Sequence, residues 1–296
     1  MLQKKFCTVW SRALSTKTTP QLEYIYGCSS VLAALYARKR ARIERLFLQK
    51  SSGATKKSKK DAFLIDTVIQ LCRDQKITIV EVDKGHLNNL TLNRPHQGVV
   101  IETSQRDSIP IQHLSPVSSQ GIYYGVQSNN IQHRFESSQR PPFWIALDEV
   151  QDPHNLGSIL RTAHFFGVDG VIVCSKNSAT LTPAVSKVSA GAMEVMDIYS
   201  TRNLSKFLQT SSGNGWHIMG ADAQGESVYN MPLTSLPRLL VLGNEGVGLR
   251  PLIRKICKQL VSIPKQSSNT ETFKGHVESL NVGVAAGVLI SQFTAR

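Results

Sequence analysis

The sequence predicts an α/β protein of two domains, the second wound around a parallel sheet, on three observations. Its 296 residues suggest roughly two domains. Short apolar runs alternate with stretches of helical period through most of the chain. Residues 143–174, FWIALDEVQDPHNLGSILRTAHFFGVDGVIVC, read as one strand–helix–strand unit.

Within that unit, residues 143–150 are an apolar run suited to a strand buried on both faces. Asp152-Pro153-His154-Asn155 is turn chemistry, with Asn155 expected as the helix N-cap. Leu156, Ile159, Leu160, Ala163 and Phe166 then recur at helical spacing until Gly167, and residues 171–174 form the second strand. Arg161 falls off the apolar face, near the edge where open α/β sheets bind ligands.

From the start of the chain, residues 1–20 look like a mitochondrial presequence. Lys4, Lys5, Arg12 and Lys17 are its charges, the first acid is Glu23, and Leu2, Phe6, Val9, Trp10 and Leu14 make an amphipathic stripe among Ser and Thr. Residues 21–103 read as a small α/β domain: a Ser-capped helix around Val31, Leu32 and Leu35, a strand at 43–48, a helix at 62–73, and strands at 77–82 and 99–101. Lys56, Lys57, Lys59 and Lys60 form a basic loop suited to phosphate. Residues 104–142, rich in Ser, Gln, Asn and Pro, read as an interdomain linker with some order around 121–126.

Beyond residue 174 the alternation continues. Helices are expected at 183–190, 203–209 and 279–293, and strands at 195–199, 216–220, 239–242 and 261–263. Pro251 is placed to open a helix. Gly283 and Gly287 weaken the last helix, so close backbone approach is expected there.

Lys and Arg number 34 against 21 Asp and Glu, a net charge of +13, which points to a polyanionic partner and to nucleic acid first. The five cysteines are scattered, so neither a disulfide framework nor a zinc site is expected, and no metal is assigned. No apolar run is long enough to span a membrane.

Three blocks stand in order: NLGSILRTA at 155–163, LVLGNEGVGL at 240–249 and SLNVGVAAG at 279–287. Together they resemble the signature motifs of the SpoU (TrmH-type) class of SPOUT RNA methyltransferases, as does SAGAME at 189–194. The pattern YGCSSVLAAL…IERLFL…NRPHQGVV resembles the L30e-like substrate-binding domain found ahead of some RNA methyltransferases. The resemblance implies a C-terminal SPOUT domain (143–296) with a trefoil knot, which sequence rules alone would refuse. It also implies a homodimer, S-adenosyl-L-methionine as cofactor, and 2'-O-methylation of a guanosine. The presequence and NRPHQGVV look most like family members acting on mitochondrial large-subunit rRNA near the peptidyl-transferase centre.

Carried onto this chain, the family's catalytic positions fall on Arg161, Glu245, Ser279, Asn281 and Asn155, the last holding the site. Its cofactor positions fall on Leu242, Gly243, Asn244, Gly246, Ile263 and Leu280. Gly243, Gly246 and Gly248 suit backbone lying close to a flat purine. Arg161 is the family's suggested base, yet a guanidinium stays protonated at neutral pH, so gripping a phosphate demands less of it. The chain departs from the family at Pro264-Lys265, where Pro-Met is common, in the long loop QSSNTETFKGHVE, and at Gly283, where Ser is common. The charge also fits a non-catalytic rRNA-binding ribosome-assembly factor, whereas a Rossmann-type nucleotide enzyme lacks its glycine fingerprint.

Overall fold

The computed structural model describes residues 21–50, 59–128, 131–137, 140–176, 178–231, 235–265 and 279–294. The expected presequence, Lys56 and Lys57, and most of the loop before the third block lie outside them.

The N-terminal part contains β1 (Leu22–Tyr26), α1 (Cys28–Ala37), β2 (Ile43–Gln49), α2 (Lys59–Asp74), β3 (Thr78–Val82), α3 (Lys84–Leu90) and β4 (Val99–Ser104). Its sheet runs β1-β4-β2-β3, with β2 and β3 parallel and the other pairs antiparallel. Ile25, Val31, Leu35, Leu46, Val68 and Ile101 share one core. The helix expected to carry a Ser cap instead starts after Gly27, whose φ of 88° no Ser side chain assists. Helix α3 was not anticipated, because KGHLNNL buries only Leu87 and so shows no apolar period. Asp83 caps it, accepting from His86 N at 2.8 Å.

Residues 104–142 are not a loose linker: β5 (Ile109–Pro110), β6 (His113–Leu114), β7 (Ile122–Val126) and β8 (Gln132–Glu136) lie within them. The first joins the edge of the main sheet, and the other three make an antiparallel sheet of their own. The polar composition hid a few anchoring aromatics. Tyr123 is buried and its hydroxyl accepts from Trp144 Nε1 at 3.0 Å, and Phe135 stacks on it and meets Trp144 edge-on.

The C-terminal part continues with β9 (Phe143–Leu147), α4 (Pro153–Phe165), β10 (Gly170–Cys174), α5 (Pro183–Val188), α6 (Ala192–Val195), β11 (Ile198–Thr201), α7 (Leu204–Gly213), β12 (His217–Ser227), β13 (Arg238–Leu242), α8 (Pro251–Ile256), β14 (Gln259–Ser262) and α9 (Val282–Thr294). The sheet order is β14-β12-β13-β9-β10-β11-β5, parallel throughout. Strand β9 sits at its centre and is buried on both faces. Phe143, Ile145 and Leu147 pack with α4 and α9, while Trp144 and Ala146 pack with Phe207, Leu208 and Trp216. That double burial is why the strand reads as an unbroken apolar run.

Two capping details differ from expectation. Asp152, not Asn155, caps α4, accepting from His154 N at 2.9 Å with Pro153 in the first helical turn. In α9, Gly283 does lie against α4, since a Cβ there would sit 3.0 Å from Ser158 Oγ, but Gly287 has no atom within 4 Å among the described residues. After β14 at the sheet edge the chain returns to lay α9 on α4, where Phe293 O accepts from Arg238 Nη2 at 3.1 Å. No helix among the described residues is long and apolar enough to cross a membrane.

Candidate active site

The carboxyl ends of β9 and β13 meet beside the first turn of α4, and three separated stretches of sequence converge there. Asn155 is held 7% exposed within the first turn of α4, a poor place for an amide unless it is paired. It is paired at both atoms. Its Nδ2 donates to Glu245 Oε1 at 2.8 Å, and its Oδ1 accepts from Asn281 Nδ2 at 2.9 Å. Asn281 also caps α9, its Oδ1 accepting from Gly283 N at 2.9 Å and Val284 N at 3.3 Å. One amide thereby ties together the three blocks recognised in the sequence.

The loop after β13 is shaped by its own backbone. Asn244 and Gly248 exchange hydrogen bonds at 3.0 Å each way, and Asn244 Oδ1 accepts from Gly246 N at 2.9 Å. A Cβ at Gly243 would lie 2.4 Å from the Gly248 carbonyl carbon, so that glycine is required by the loop itself. Gly246 is different: the nearest atom to a Cβ there is Asn244 Oδ1 at 3.6 Å, and its outer face is open. Leu242 is buried, with its carbonyl accepting from Asp148 N at 2.8 Å.

Sequence reasoning missed a further set of residues that fixes this loop. Asp148 is fully buried at the end of β9 and accepts from Arg250 N at 3.1 Å and from Arg250 Nε at 2.8 Å, while Arg250 Nη2 lies 2.5 Å away. Arg250 Nη1 also reaches Glu149 Oε1 at 3.3 Å, and the Glu149 carbonyl accepts from Asn244 Nδ2 at 3.0 Å. Glu149 adopts φ 63°, a left-handed conformation that a non-glycine residue holds only when its surroundings impose it. The hydrogen bonds that Arg250 donates to Asp148 raise the Arg250 pKa, keeping it charged. Nearby, burial pushes the Cys257 thiol up to about 12, so it is no nucleophile at neutral pH. An acid set directly at the end of an apolar strand was the available signal for Asp148.

Arg161 stands apart from this network. It is exposed on α4 and has no hydrogen-bond or ion-pair partner among the described residues. Ser279 and Leu280 are exposed just ahead of the Asn281 cap, and Ile263 packs partly buried against the core. The site therefore combines a locked polar frame, an open glycine face and an unpaired cation.

The family model described as "SpoU rRNA Methylase family" matches residues 142–291. The chain belongs to that family. A second model, "RNA 2'-O ribose methyltransferase substrate binding", matches residues 24–108, covering the N-terminal sheet. The chain is 34% identical over 284 residues to the Homo sapiens "rRNA methyltransferase 1, mitochondrial", spanning 92% of this chain and 72% of that one. It is 32% identical to the Pseudomonas syringae pv. tomato "23S rRNA (guanosine-2'-O-)-methyltransferase RlmB", spanning 91% of this chain and 94% of that one. Among solved structures, an rRNA methyltransferase from Sinorhizobium meliloti superposes with a TM-score of 0.65 at 20% identity, over 93% of this chain and 87% of that one. In SpoU terms the network unites all three signature blocks.

Proposed function

We propose that this SpoU methylase transfers a methyl group from S-adenosyl-L-methionine to the ribose 2'-hydroxyl of a guanosine in mitochondrial large-subunit rRNA, near the peptidyl-transferase centre. The observation that carries this reading is the Glu245–Asn155–Asn281 chain of hydrogen bonds, which fixes the open glycine loop beside the helix bearing Arg161. The names borne by the relatives support the guanosine and the mitochondrial rRNA. The acid-poor opening of the sequence supports the compartment.

The residues present fit the cofactor. Val247, next to Gly246 in the loop, and Leu280, next to Asn281, are exposed apolar side chains on two of the stretches that the Asn155 bonds join, and would give a flat purine cover. Leu242, Gly243, Asn244 and Gly246 would hold it mainly through backbone, with Ile263 behind. Bound there, S-adenosyl-L-methionine supplies the electrophilic methyl group. The planar guanidinium of Arg161 suits a forked grip on the target phosphate, which orients the 2'-hydroxyl. Glu245 and Asn281 keep Asn155 fixed, and Ser279 stands where it can meet the substrate.

A homodimer belongs to the same reading. Phe165 on α4 and Val284 on α9 are exposed at 81% and 54%, and these two helices pack on each other, so a second copy would cover both.

The purified chain should methylate mitochondrial large-subunit rRNA at one guanosine, located by ribose-methylation mapping with and without the protein. Lack of modification in the presence of S-adenosyl-L-methionine would sink the assignment. Gly246→Val tests the cofactor position: the open space leaves the fold intact, so calorimetry should show normal melting with binding lost.

A further inference from the structure

The SAGAME stretch was singled out by the sequence, yet the site makes no use of it. In the structure it forms the C-cap of α5 at Ser189, the turn after it and most of α6, and it receives the N-terminal domain. Gly191 has φ 91°, and a Cβ there would lie 2.5 Å from Ala33 Cβ and 3.0 Å from Ser29 O, so α1 sits directly on its backbone. Ser30 Oγ donates to Ser186 O at 3.0 Å in the same buried seam.

The seam is closed by an ion pair. Arg40, in the loop after α1, forks onto Glu194 of α6, with Nε to Oε2 and Nη2 to Oε1 both at 2.8 Å. Both side chains are only 1% exposed. Arg40 Nη1 turns back to Glu23 and to Ser104 O, so one guanidinium bridges β1, β4 and the methylase domain. A buried charge is tolerable only with its partner in place, so separating the domains would take the Arg40 fork away from the Glu194 carboxylate, while Arg40 would keep Glu23 and Ser104 O.

The connection between the domains is also short. Strand β4 ends at Ser104 and β5 begins at Ile109 on the edge of the methylase sheet, leaving Gln105, Arg106, Asp107 and Ser108 between two sheets. Arg106 fastens even these, its Nη2 donating to Met196 O at 3.0 Å.

We infer that the substrate-binding domain is a fixed arm rather than a tethered one, and that Arg40 and Glu194 are positioning residues for methyl transfer. This rests on the function proposed above and takes the N-terminal domain, which matches the substrate-binding model, as the part that holds rRNA. The docked arm sets where the held RNA meets Arg161 and the glycine loop. Its consequence is a split between binding and turnover: an undocked arm still grips RNA but presents it wrongly. Misplacement of a reacting group costs on the order of 10²-fold in rate.

The test uses the full chain with Ala33→Trp, which wedges α1 off Gly191 without entering either core, and Glu194→Gln, which leaves the shape but removes the charge. Solution scattering should show both variants more extended than the wild type. S-adenosyl-L-methionine affinity and the KM for rRNA should change less than about threefold, while kcat falls on the order of 10²-fold. If one variant does not fold, the other decides. A wild type as extended as the variants overturns the fixed arm; a folded variant that scatters like a compact wild type, or an extended variant with wild-type kcat, overturns the positioning role. Loss of S-adenosyl-L-methionine binding would make the seam a folding element and overturn the positioning role. If the wild type methylates no large-subunit rRNA, the proposed function fails, while scattering still decides the docking.

Discussion

Two residues of one helix, Asn155 and Arg161, lie about 9 Å apart along its axis and stand in opposite conditions. Asn155 is buried with both side-chain atoms engaged, whereas Arg161 is exposed and has no partner among the described residues. The first is frame: its partners come from the protein and its geometry is set before any ligand arrives. The second has no such partner among the described residues, and in the function proposed above it meets an incoming anion, which a molecule of charge +13 attracts. Preorganisation and vacancy are thus divided between two turns of α4.

Arg161→Ala gives the largest expected effect. Methyl transfer should fall on the order of 10²–10³-fold, as when a preorganised electrostatic group is removed from a reaction centre. Cofactor affinity and melting temperature should stay at wild-type values, since no protein partner is lost. Arg161→Lys keeps the charge without the planar fork and should lose most activity too. Single-turnover methylation beside calorimetry checks both. Wild-type turnover by the alanine variant would erase the division and move the chemistry to Glu245.

Asp148→Asn should act on the frame instead. The buried carboxylate that anchors Arg250 is replaced by an amide presenting donors to a guanidinium. Breaking a buried pair costs 3–5 kcal/mol; with Arg250 36% exposed, about 2–3 kcal/mol is expected here. Chemical denaturation should show this loss, and calorimetry a weaker hold on S-adenosyl-L-methionine as the glycine loop loosens. An unchanged midpoint would mean that the loop keeps its shape without this anchor.

Asn155→Ala should cost less, about 1–2 kcal/mol, because Glu245 is exposed and can turn to water once its partner is gone. Activity should fall together with stability, unlike the Arg161 variant. A variant that loses activity alone would place Asn155 with the substrate rather than in the frame.

What the sequence made legible follows from these physical differences. The parallel sheet was readable because a strand buried on both faces, such as β9, is apolar throughout. The three blocks were readable through their motifs, and the frame joins them through Asn155. The error over Asn155 as a cap arose because Asp152 and Asn155 both suit a helix start, and only burial separates them. Of residues 104–142 only the order around 121–126, where β7 lies, was legible; the other strands were not, because Tyr123 and Phe135 anchor otherwise polar strands and two aromatics carry no period. The Asp148–Arg250 pair spans about a hundred positions and left no local pattern.

The smallest expected effect asks whether the division between locked and open positions extends to α9. Gly283 and Gly287 lie one turn apart, and the sequence alone treats them alike. A Cβ at Gly283 would be 3.0 Å from Ser158 Oγ and 3.1 Å from Asn281 Oδ1, the atom that caps the helix, so Gly283→Ala must push on α4 or on the cap and should destabilise. At Gly287 a Cβ meets nothing within 4 Å among the described residues, so Gly287→Ala should gain about 0.4–1 kcal/mol by restricting the unfolded chain. Denaturation midpoints measured over a range of protein concentrations make the pair decisive. A gain at Gly287 that does not change with concentration leaves this face of α9 open. A loss confined to concentrations where two copies associate would mean that the partner's helix lies against Gly287, and that this glycine too is required by a close approach, made between copies rather than within one.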